Sequence, residues 1–183
     1  GVNLLLKRAE DVTLGAFFFL LSIPLMVFIS LIILVSSGGP VIFKQKRLGW
    51  DGKVFIIYKF RTMFFMKNSN NETKQAEQDD KRFTKFGKLL RRSSLDELPQ
   101  IINVLQGRMS IVGPRPHALD HEETFKKQVK GYARRYKVKP GITGWAQVND
   151  LRGQINNVED IRRRVQHDLF YIENWSIWFD LRI

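Results

Sequence analysis

The longest apolar stretch of the chain extends from Leu14 to Val35 and contains no charged residue. Its 22 residues, LGAFFFLLSIPLMVFISLIILV, would form a helix long enough to cross a hydrocarbon layer of about 30 Å at ~1.5 Å per residue. A cleaved signal peptide is disfavoured, because the stretch is too long and the following SSGGP is a poor cleavage site. A buried core helix of a water-soluble protein is a third alternative. The pattern therefore favours a helix that enters a membrane.

Two features of this stretch favour a re-entrant helix over a simple span. Pro24 lies near the middle, where it removes a backbone donor and clashes with the carbonyl of Leu20, so a kink is expected. Basic residues flank both ends, at positions 7–8 and 44–47, and so give no orientation under the positive-inside rule. A segment that bends at Ser22-Ile23-Pro24 and leaves the membrane by the face it entered accounts for the proline and for the basic residues at both ends. The Ser22 hydroxyl could then donate a hydrogen bond to a carbonyl that Pro24 frees. A spanning helix with a tolerated proline is the alternative.

Period-two patterns follow the apolar stretch. Residues 41–47 and 54–63 are rich in β-branched and aromatic residues, and the Asp51-Gly52 turn between them predicts a β-hairpin. Residues 67–82 have no apolar side chain except Ala76. That composition is typical of a loop or disordered insert, with an active-site lid as the alternative.

Helical periodicity dominates the rest of the chain. Apolar residues at positions 83, 86, 89 and 90 predict one helix, and the apolar face from residue 95 to 105 predicts the next. Residues 118–136 are typical of a basic helix weakened at Gly131, and Asn157 is a plausible N-cap for a helix from residue 158. Near the end, Tyr171, Trp175 and Trp178 suit a lipid–water boundary and ordinary core packing equally well.

Length and charge restrict the class of protein. The 183 residues are enough for one domain with a real core and too few to expect two. Lys and Arg number 30 against 18 Asp and Glu, and the formal charge of +12 indicates a polyanionic neighbour: nucleic acid, an anionic membrane face or phosphorylated substrates. The absence of Cys excludes disulfides, thiolate metal sites and Cys nucleophiles.

The adjacent carboxylates Asp96 and Glu97 are the strongest candidates for chemistry. On a helix they point about 100° apart, so one could attack or bind a metal while the other holds a cation. Helix capping is the alternative, because Ser94 and Glu97 have the spacing of a capping box, although Pro99 suits a start at 98–99. Basic residues at 88, 91, 92, 108 and 115 surround the acids, a combination that suits a metal and an anionic phosphate.

Other candidate sites are weaker. The chain has neither a P-loop nor a dinucleotide-binding glycine motif. His117 and His121 are four residues apart and could share a zinc ion, but no third ligand is evident, which favours a surface or capping role. Stacking on RNA needs aromatic residues among basic ones, and the sequence offers Phe55, Tyr58 and Phe60 beside Lys59 and Arg61 without an RRM or KH signature.

Five ordered blocks carry a resemblance to a known family: LGAFFFLLSIPLMV, GGPVIFKQKRLGWDGKVFIIYKFRTM, RRSSLDELPQIINVLQGRMSIVGPRPHA, VKPGITGWAQVNDLRGQ and DLFYIENWSIWFDLRI. Together they resemble the bacterial sugar transferases, which are monotopic polyprenyl-phosphate phosphoglycosyl transferases, from about residue 7 to 183. One departure is Ile23, which separates Ser22 from Pro24 where the family has Ser directly before Pro. PRPHA and GWAQVNDLRGQ resemble the subgroup that transfers hexose phosphates, often glucose 1-phosphate, to undecaprenyl phosphate.

The resemblance implies a mixed α/β, mainly α, monotopic membrane protein. We expect an amphipathic lead-in at 1–13, a kinked re-entrant helix at 14–36, and a catalytic part at 37–183 with a small β-hairpin and amphipathic interfacial helices. The implied location is the cytoplasmic face of the bacterial inner membrane, with anionic lipids and a second copy of the chain as expected partners. Larger members carry further N-terminal transmembrane helices, so a chain that starts at Gly1 is expected to be an excised catalytic region or a small form with a tag remnant.

The resemblance also implies a two-step reaction that initiates exopolysaccharide, capsule or O-antigen assembly. Asp96 would attack the β-phosphorus of a UDP-sugar of the glucose or galactose type and expel UMP, and the polyprenyl phosphate would then take the phosphosugar. Glu97 would hold Mg²⁺, and the expected phosphate and nucleotide ligands are Arg91, Arg115, Lys59, Arg61 and Arg152. The competing classes are a non-catalytic basic membrane-surface adaptor and a membrane-associated nucleic-acid binder, whose binding would depend on salt.

Overall fold

The computed structural model describes residues 2–64, 82–153, 155 and 157–183, without the side chains of residues 120 and 121. The predicted insert at 67–82, with its lid alternative, lies outside the described residues except for Arg82. The helices and strands, in chain order, are α1 (Val2–Ser37), β1 (Ile42–Leu48), β2 (Val54–Phe60), α2 (Lys85–Arg92), α3 (Gln100–Leu105), β3 (Ser110–Val112), α4 (Leu119–Gln128), β4 (Gly141–Thr143), α5 (Trp145–Val148), α6 (Val158–Glu173) and α7 (Ile177–Arg182). The mixed, mainly helical fold class is confirmed.

The apolar stretch belongs to a longer helix, α1, which has 36 residues and contains Pro24. In the described part of the chain it is the one helix long and apolar enough to cross a membrane, with a mean hydropathy of 2.9 over its most apolar window. The Ser22 hydroxyl donates to the carbonyl of Phe19 at 3.0 Å, one residue before the Leu20 carbonyl that Pro24 leaves without its usual donor. The kink and the re-entrant path remain predictions.

One face of α1 packs along the rest of the molecule. Its buried residues are spaced close to whole helical turns and so share that face: Asp11, Gly15, Ile29 and Ile33. Near the start of α1, Arg8 donates to the carbonyls of Val104 and Leu105 at 2.7 and 2.8 Å and closes the end of α3. At the far end, Arg61 donates to the carbonyls of Ser37 and Gly39 at 2.9 and 3.0 Å. Both ends of α1 are therefore attached to the same body.

The predicted hairpin is confirmed as an antiparallel pair of β1 and β2, with Ile42 opposite Phe60. Its turn requires left-handed backbone at Asp51 and Gly52, whose φ angles are 54° and 68°. Because side chains alternate across a strand, β2 supplies two apolar clusters. Phe60 packs with Ile29, Ile33 and Leu90, while Phe55 and Ile57 pack with Val104 and Met109.

Strands β3 and β4 form a second, parallel pair, with Ser110 opposite Gly141 and Val112 opposite Thr143. The backbones approach so closely beyond β3 that a Cβ on Gly141 would lie 2.1 Å from the amide nitrogen of Gly113. Glycine is needed there for space rather than for its dihedral freedom. This contact fixes the Gly113-Pro114 segment that leads to Arg115.

The helix predictions for the second half of the chain hold with one adjustment. The basic helix predicted over 118–136 ends at Gln128, and Gly131, with φ of 84°, separates it from a 3-10 helix at Tyr132–Lys137. Asn157 caps α6 as predicted, accepting from the Asp160 amide at 2.8 Å. Of the C-terminal aromatics, Tyr171 is buried and donates to Asp180 at 2.8 Å, whereas Trp178 is 81% exposed. Tyr171 therefore belongs to the core, whereas Trp178 lies on the surface.

Candidate active site

The two adjacent carboxylates lie on a single 3-10 turn, Leu95–Glu97, between α2 and α3. Leu95 and Leu98 pack against the cluster of Phe60 and Leu90, which anchors one side of the turn. Asp96 and Glu97 lie between these anchors and are themselves buried, at 8% and 7% exposure. The apolar spacing therefore fixes the position of both acids.

The capping-box interpretation is wrong. Ser94 has φ of 61°, a left-handed conformation, and its side chain makes no capping hydrogen bond. A capping serine needs extended backbone, which the tight reversal after α2 does not allow. The α3 helix begins instead at Pro99–Gln100, close to the alternative start at 98–99. The Glu97 carboxylate is consequently free to bind cations rather than the Ser94 amide.

Glu97 is clamped by two cations from separate elements. Arg115 donates to both carboxylate oxygens, at 2.6 Å to Oε1 and 3.2 Å to Oε2, and Lys59 donates to Oε1 at 2.9 Å. Lys59 shares a face of β2 with Ile57, which packs beside α3, and this register directs it to Glu97. Bidentate Arg–carboxylate contacts are among the strongest charge-assisted hydrogen bonds in proteins.

The two carboxylates have opposite electrostatics. Burial acts to raise the pKa of the Glu97 carboxyl, but Arg115 and Lys59 together hold that pKa well below its usual range. Burial raises the pKa of the Asp96 carboxyl, and the charge of Lys59 opposes this only in part. No described residue donates a hydrogen bond to the Asp96 side chain. Within the described part of the chain, Asp96 is thus a desolvated carboxylate without a hydrogen-bond donor, beside a carboxylate that two cations hold.

The carboxylate oxygens at the turn suit Mg²⁺ if a substrate phosphate supplies further ligands. Carboxylate oxygens are the ligands Mg²⁺ prefers, usually one or two together with substrate phosphates. Glu97 already accepts two hydrogen bonds at Oε1 and one at Oε2, which leaves one acceptor direction on Oε2. Across the described side chains, no group of three or more His, Cys, Asp or Glu could hold a metal. The residues fit Mg²⁺ when a diphosphate supplies the remaining ligands.

The structure distributes the predicted phosphate ligands unevenly. Lys59 and Arg115 meet at Glu97, and Arg152 lines the same cavity as Glu97. The Arg91 guanidinium lies over the Phe83 ring at 4.9 Å, and its charge acts on Asp96 to lower the pKa of that carboxyl. Arg61 instead binds the carbonyls at the end of α1. Its guanidinium is engaged there rather than with the carboxylates.

A buried network behind Arg115 was not apparent in the sequence. Arg135 donates through Nε to Asp168 at 2.7 Å and through Nη2 to the carbonyl of Arg115 at 2.6 Å. The neighbouring Arg134 forms an exposed pair with Glu173. Nothing in the local sequence distinguishes the two arginines, since the difference arises only when α6 packs beside the 3-10 helix. Arg135 therefore positions Arg115 without touching Glu97.

The surface or capping role expected for His117 is wrong. The residue is buried, with Nδ1 2.6 Å from the Tyr132 hydroxyl and 3.1 Å from Arg135 Nη1. Burial and the charges of Arg135 and Arg164 hold the pKa of its imidazole well below the usual value, so the ring is neutral. The His121 side chain, the other half of the zinc hypothesis, lies outside the described residues.

The aromatic residues offered for RNA stacking are structural. Phe55 and Phe60 are 9% and 2% exposed and belong to the two apolar clusters of the hairpin. Stacking on bases needs an open ring face. The hairpin therefore supports the carboxylate site and does not present a stacking platform built on these two rings.

Comparison with known proteins agrees with the five sequence blocks. Residues 2–183 match the family described as bacterial sugar transferase. The chain is 55% identical over its whole length to the UDP-glucose:undecaprenyl-phosphate glucose-1-phosphate transferase of Escherichia coli (strain K12), and 48% identical to the protein of that name from Klebsiella pneumoniae. It covers 39% of the length of each of these relatives.

A relative whose name specifies a different sugar also matches. The UDP-N-acetylgalactosamine-undecaprenyl-phosphate N-acetylgalactosaminephosphotransferase of Aeromonas hydrophila is 41% identical over 179 residues, which is 97% of this chain and 41% of that protein. Relatives whose names specify different sugars thus match this chain over nearly its whole length. From the match along its whole length, the chain belongs to the bacterial sugar transferase family.

Proposed function

We propose that this chain transfers a sugar 1-phosphate from a UDP-sugar to undecaprenyl phosphate and so starts the assembly of a surface polysaccharide. The relatives' names support a reaction of this kind. The sugar in the proposal is a hexose of the glucose or galactose type. The observation that carries the proposal is the contrast at Leu95–Glu97, where Asp96 accepts no hydrogen bond from any residue that the structure describes and the adjacent Glu97 is held by two cations.

In the first step the Asp96 carboxylate attacks the β-phosphorus of the UDP-sugar. A bond forms between the carboxylate oxygen and phosphorus, the bond to the bridging oxygen breaks, and UMP leaves with that electron pair. In the second step a phosphate oxygen of the acceptor attacks the same phosphorus and displaces Asp96, giving a polyprenyl diphosphate sugar. The desolvated environment of Asp96 favours attack, because its carboxylate gives up no hydrogen bond to the described residues when it attacks.

The surrounding cations stabilise the charge that moves during both steps. Arg115 and Lys59 lie closest, since both already contact Glu97, and Arg91 and Arg152 extend the positive surface on either side. Glu97 would hold Mg²⁺ together with the donor diphosphate, which supplies further neutralisation of phosphate charge. Arg135 keeps the Arg115 loop in place through its backbone carbonyl.

The covalent intermediate of the first step, a sugar phosphate bound to Asp96, gives a direct test of the proposal. Purified protein incubated with Mg²⁺ and a panel of UDP-sugars, without acceptor, should gain the mass of one sugar phosphate and release UMP. Asp96→Asn should show neither, because an amide lacks the anionic oxygen that attacks. Asp51→Asn, at the exposed hairpin turn, serves as the matched control and should behave like the wild type. Normal turnover by Asp96→Asn would place the nucleophile elsewhere.

We also propose that α1 enters the membrane and returns, so that both ends lie on the cytoplasmic face of the inner membrane. The support is the packing of α1 by one face, from Asp11 to Ile33, against the charged body of the protein. Since 22 residues separate those positions, about 33 Å of helix stays on one side of that body. A helix that crossed to the opposite compartment would have to give up half of these contacts.

Cysteine accessibility in intact cells tests this path, because the chain has no native cysteine. Asn3→Cys and Gln45→Cys should both react with an impermeant reagent only after permeabilisation, as should Glu159→Cys on the exposed side of α6. Labelling of either of the first two from outside would exclude the re-entrant path. Pro24→Leu restores a continuous hydrogen-bond ladder and should move some molecules to a full span.

A further inference from the structure

A buried arginine on α6, Arg164, carries a charge that its surroundings compensate only in part. The residue is 6% exposed, and its Nε atom has no hydrogen-bond partner among the described residues. Burial lowers the pKa of its guanidinium, and the nearby charge of Asp168 offsets this only in part. A buried cation in that state costs stability. Its contacts therefore indicate a role other than stabilising the core.

Arg164 holds the loop that carries Arg152. Its Nη2 donates to the carbonyl of Gly153 at 3.2 Å. Gly153 has a φ of 131°, which residues with a Cβ rarely adopt, so the backbone turns directly after Arg152. Because Arg152 lines the same cavity as Glu97, the contact with Arg164 fixes the point from which the Arg152 side chain reaches the site.

His117 joins this contact to the loop of Arg115. Its Nε2 lies 3.5 Å from Arg164 Nη1, and its Nδ1 lies 3.1 Å from Arg135 Nη1. Arg135 in turn donates to the carbonyl of Arg115 at 2.6 Å. Arg135, His117 and Arg164 thus form one buried cluster, with each member at most 6% exposed. This cluster connects the loops that carry Arg115 and Arg152.

The cluster needs a neutral imidazole at its centre. Arginine side chains only donate hydrogen bonds, whereas a neutral imidazole offers an acceptor nitrogen and an uncharged ring between the two guanidiniums. A protonated ring would accept no hydrogen bond, and it would add a third positive charge where Asp168 already pairs with Arg135. The neutral ring of His117 therefore acts as a spacer. It keeps the two guanidiniums, and the loop carbonyls that they bind, at a fixed separation.

We infer that Arg164 and His117 are positioning residues, which set the spacing between Arg115 and Arg152 and so the fit of the site to a nucleoside diphosphate. The inference rests on the proposed function for the identity of that ligand. Both residues act through the backbone of the two loops rather than through contact with the ligand. The cluster also makes one functional unit of two sequence blocks, PRPHA and GWAQVNDLRGQ, which supply His117 and Gly153.

Arg164→Met separates positioning from stability. The substitution removes a charge that is only partly compensated and leaves an apolar side chain, so the Tm should stay within a few degrees of the wild type. The Kd for UDP with Mg²⁺, measured by isothermal titration calorimetry, should rise about tenfold, the effect of losing roughly one charge-assisted hydrogen bond. Arg163→Met, the same change at the exposed neighbouring position, is the matched control and should bind UDP like the wild type. Unchanged UDP affinity in Arg164→Met would overturn the inference.

Double and conservative variants show how the effect reaches the ligand. In an Arg152→Ala background, Arg164→Met should change the Kd for UDP by less than about twofold, because the side chain that it positions is gone. A tenfold rise that persists there would mean that Arg164 acts by another route, and would overturn the inference. His117→Phe should weaken UDP binding, whereas His117→Gln keeps a neutral acceptor and should restore most of the affinity. An equal loss in the two His117 variants would refute the role of the neutral acceptor.

Amide hydrogen exchange of the ligand-free protein tests the cluster without a substrate. Peptides that cover residues 149–153 should exchange about tenfold faster in Arg164→Met, and those that cover residues 112–118 should also do so in His117→Phe. Arg163→Met should exchange like the wild type. Wild-type exchange in both variants would overturn the inference. Faster exchange, in a protein whose wild type does not bind UDP, would instead refute the proposed function and leave the positioning cluster in place.

Discussion

Replacing Glu97 by Gln should destabilise the protein as well as inactivate it. The substitution keeps the size of the side chain but removes the charge that faces Arg115 and Lys59. Breaking a buried ion pair by removing one partner typically costs about 3–5 kcal/mol, because the other charge is left uncompensated. Here the two cations keep 24% and 18% side-chain exposure, so water offsets part of the cost and places it near about 3 kcal/mol.

Thermal unfolding in detergent measures this loss. A cost of about 3 kcal/mol in a chain of this length lowers the Tm by roughly 6–12 °C, at about 2–4 °C per kcal/mol. Glu159→Gln gives the matched control, since Glu159 pairs with Arg162 where both side chains are more than half exposed. Such exposed pairs contribute about 0–1 kcal/mol, so its Tm should stay within a few degrees of the wild type.

A double variant separates lost attraction from uncompensated charge. If the uncompensated charge of the Lys59 ammonium causes much of the loss of stability, the double variant Glu97→Gln with Lys59→Met should have a higher Tm than Glu97→Gln alone. Additive losses in the double variant, or a Tm for Glu97→Gln equal to that of the wild type, would refute the reasoning. The second result would mean that water already compensates both cations. Glu97 would then bind them too weakly to organise the site.

Two further predictions concern the network behind Arg115. Asp168→Asn leaves the charge of the Arg135 guanidinium uncompensated at 3% side-chain exposure, and should lower the Tm by the equivalent of about 3–5 kcal/mol. Glu173→Gln breaks the exposed pair with Arg134 and should cost less than about 1 kcal/mol. Equal Tm shifts for the two variants would contradict this prediction. Because folding lowers the pKa of His117, the unfolded state binds its proton first as the pH falls below about 6.5. The free energy of unfolding should then decrease by up to about 1.4 kcal/mol per pH unit more in the wild type than in His117→Gln, measured by urea titrations at pH 5, 6 and 7, and equal slopes would exclude a buried neutral imidazole.

Features governed by neighbouring residues could be predicted from the sequence. The hairpin follows from alternating strands and an Asp51-Gly52 turn that tolerates positive φ, and the start of α6 follows from the Asn157 cap. The pairing of Asp96 with Glu97 as unequal neighbours was also predictable. In each case the deciding interaction lies within a few residues along the chain.

Features governed by distant contacts could not be predicted. Ser94 has the right spacing for a cap, but the packing of Leu95 and Leu98 sets the backbone of the turn and prevents it. Arg61 lies only two residues after Lys59, yet Lys59 contacts the carboxylate site and Arg61 binds the end of α1. Burial of His117 likewise depends on elements that pack against it from elsewhere in the chain.

The attachment of α1 determines how far the chemistry can lie from the bilayer. Asp11 is 1% exposed and accepts from the Ser110 hydroxyl at 2.7 Å and from the Ile111 amide at 2.9 Å. Strand β3 thus connects the start of α1 to the loop that carries Arg115, only a few residues away along the chain. If α1 enters the membrane as proposed, the charged residue at 11 stays out of hydrocarbon while residues from 14 onward enter it, which would hold the carboxylate site at the headgroup level. In the proposed reaction the lipid phosphate is confined to that level as well, so the attachment of α1 would bring the acceptor and the proposed nucleophile to the same depth.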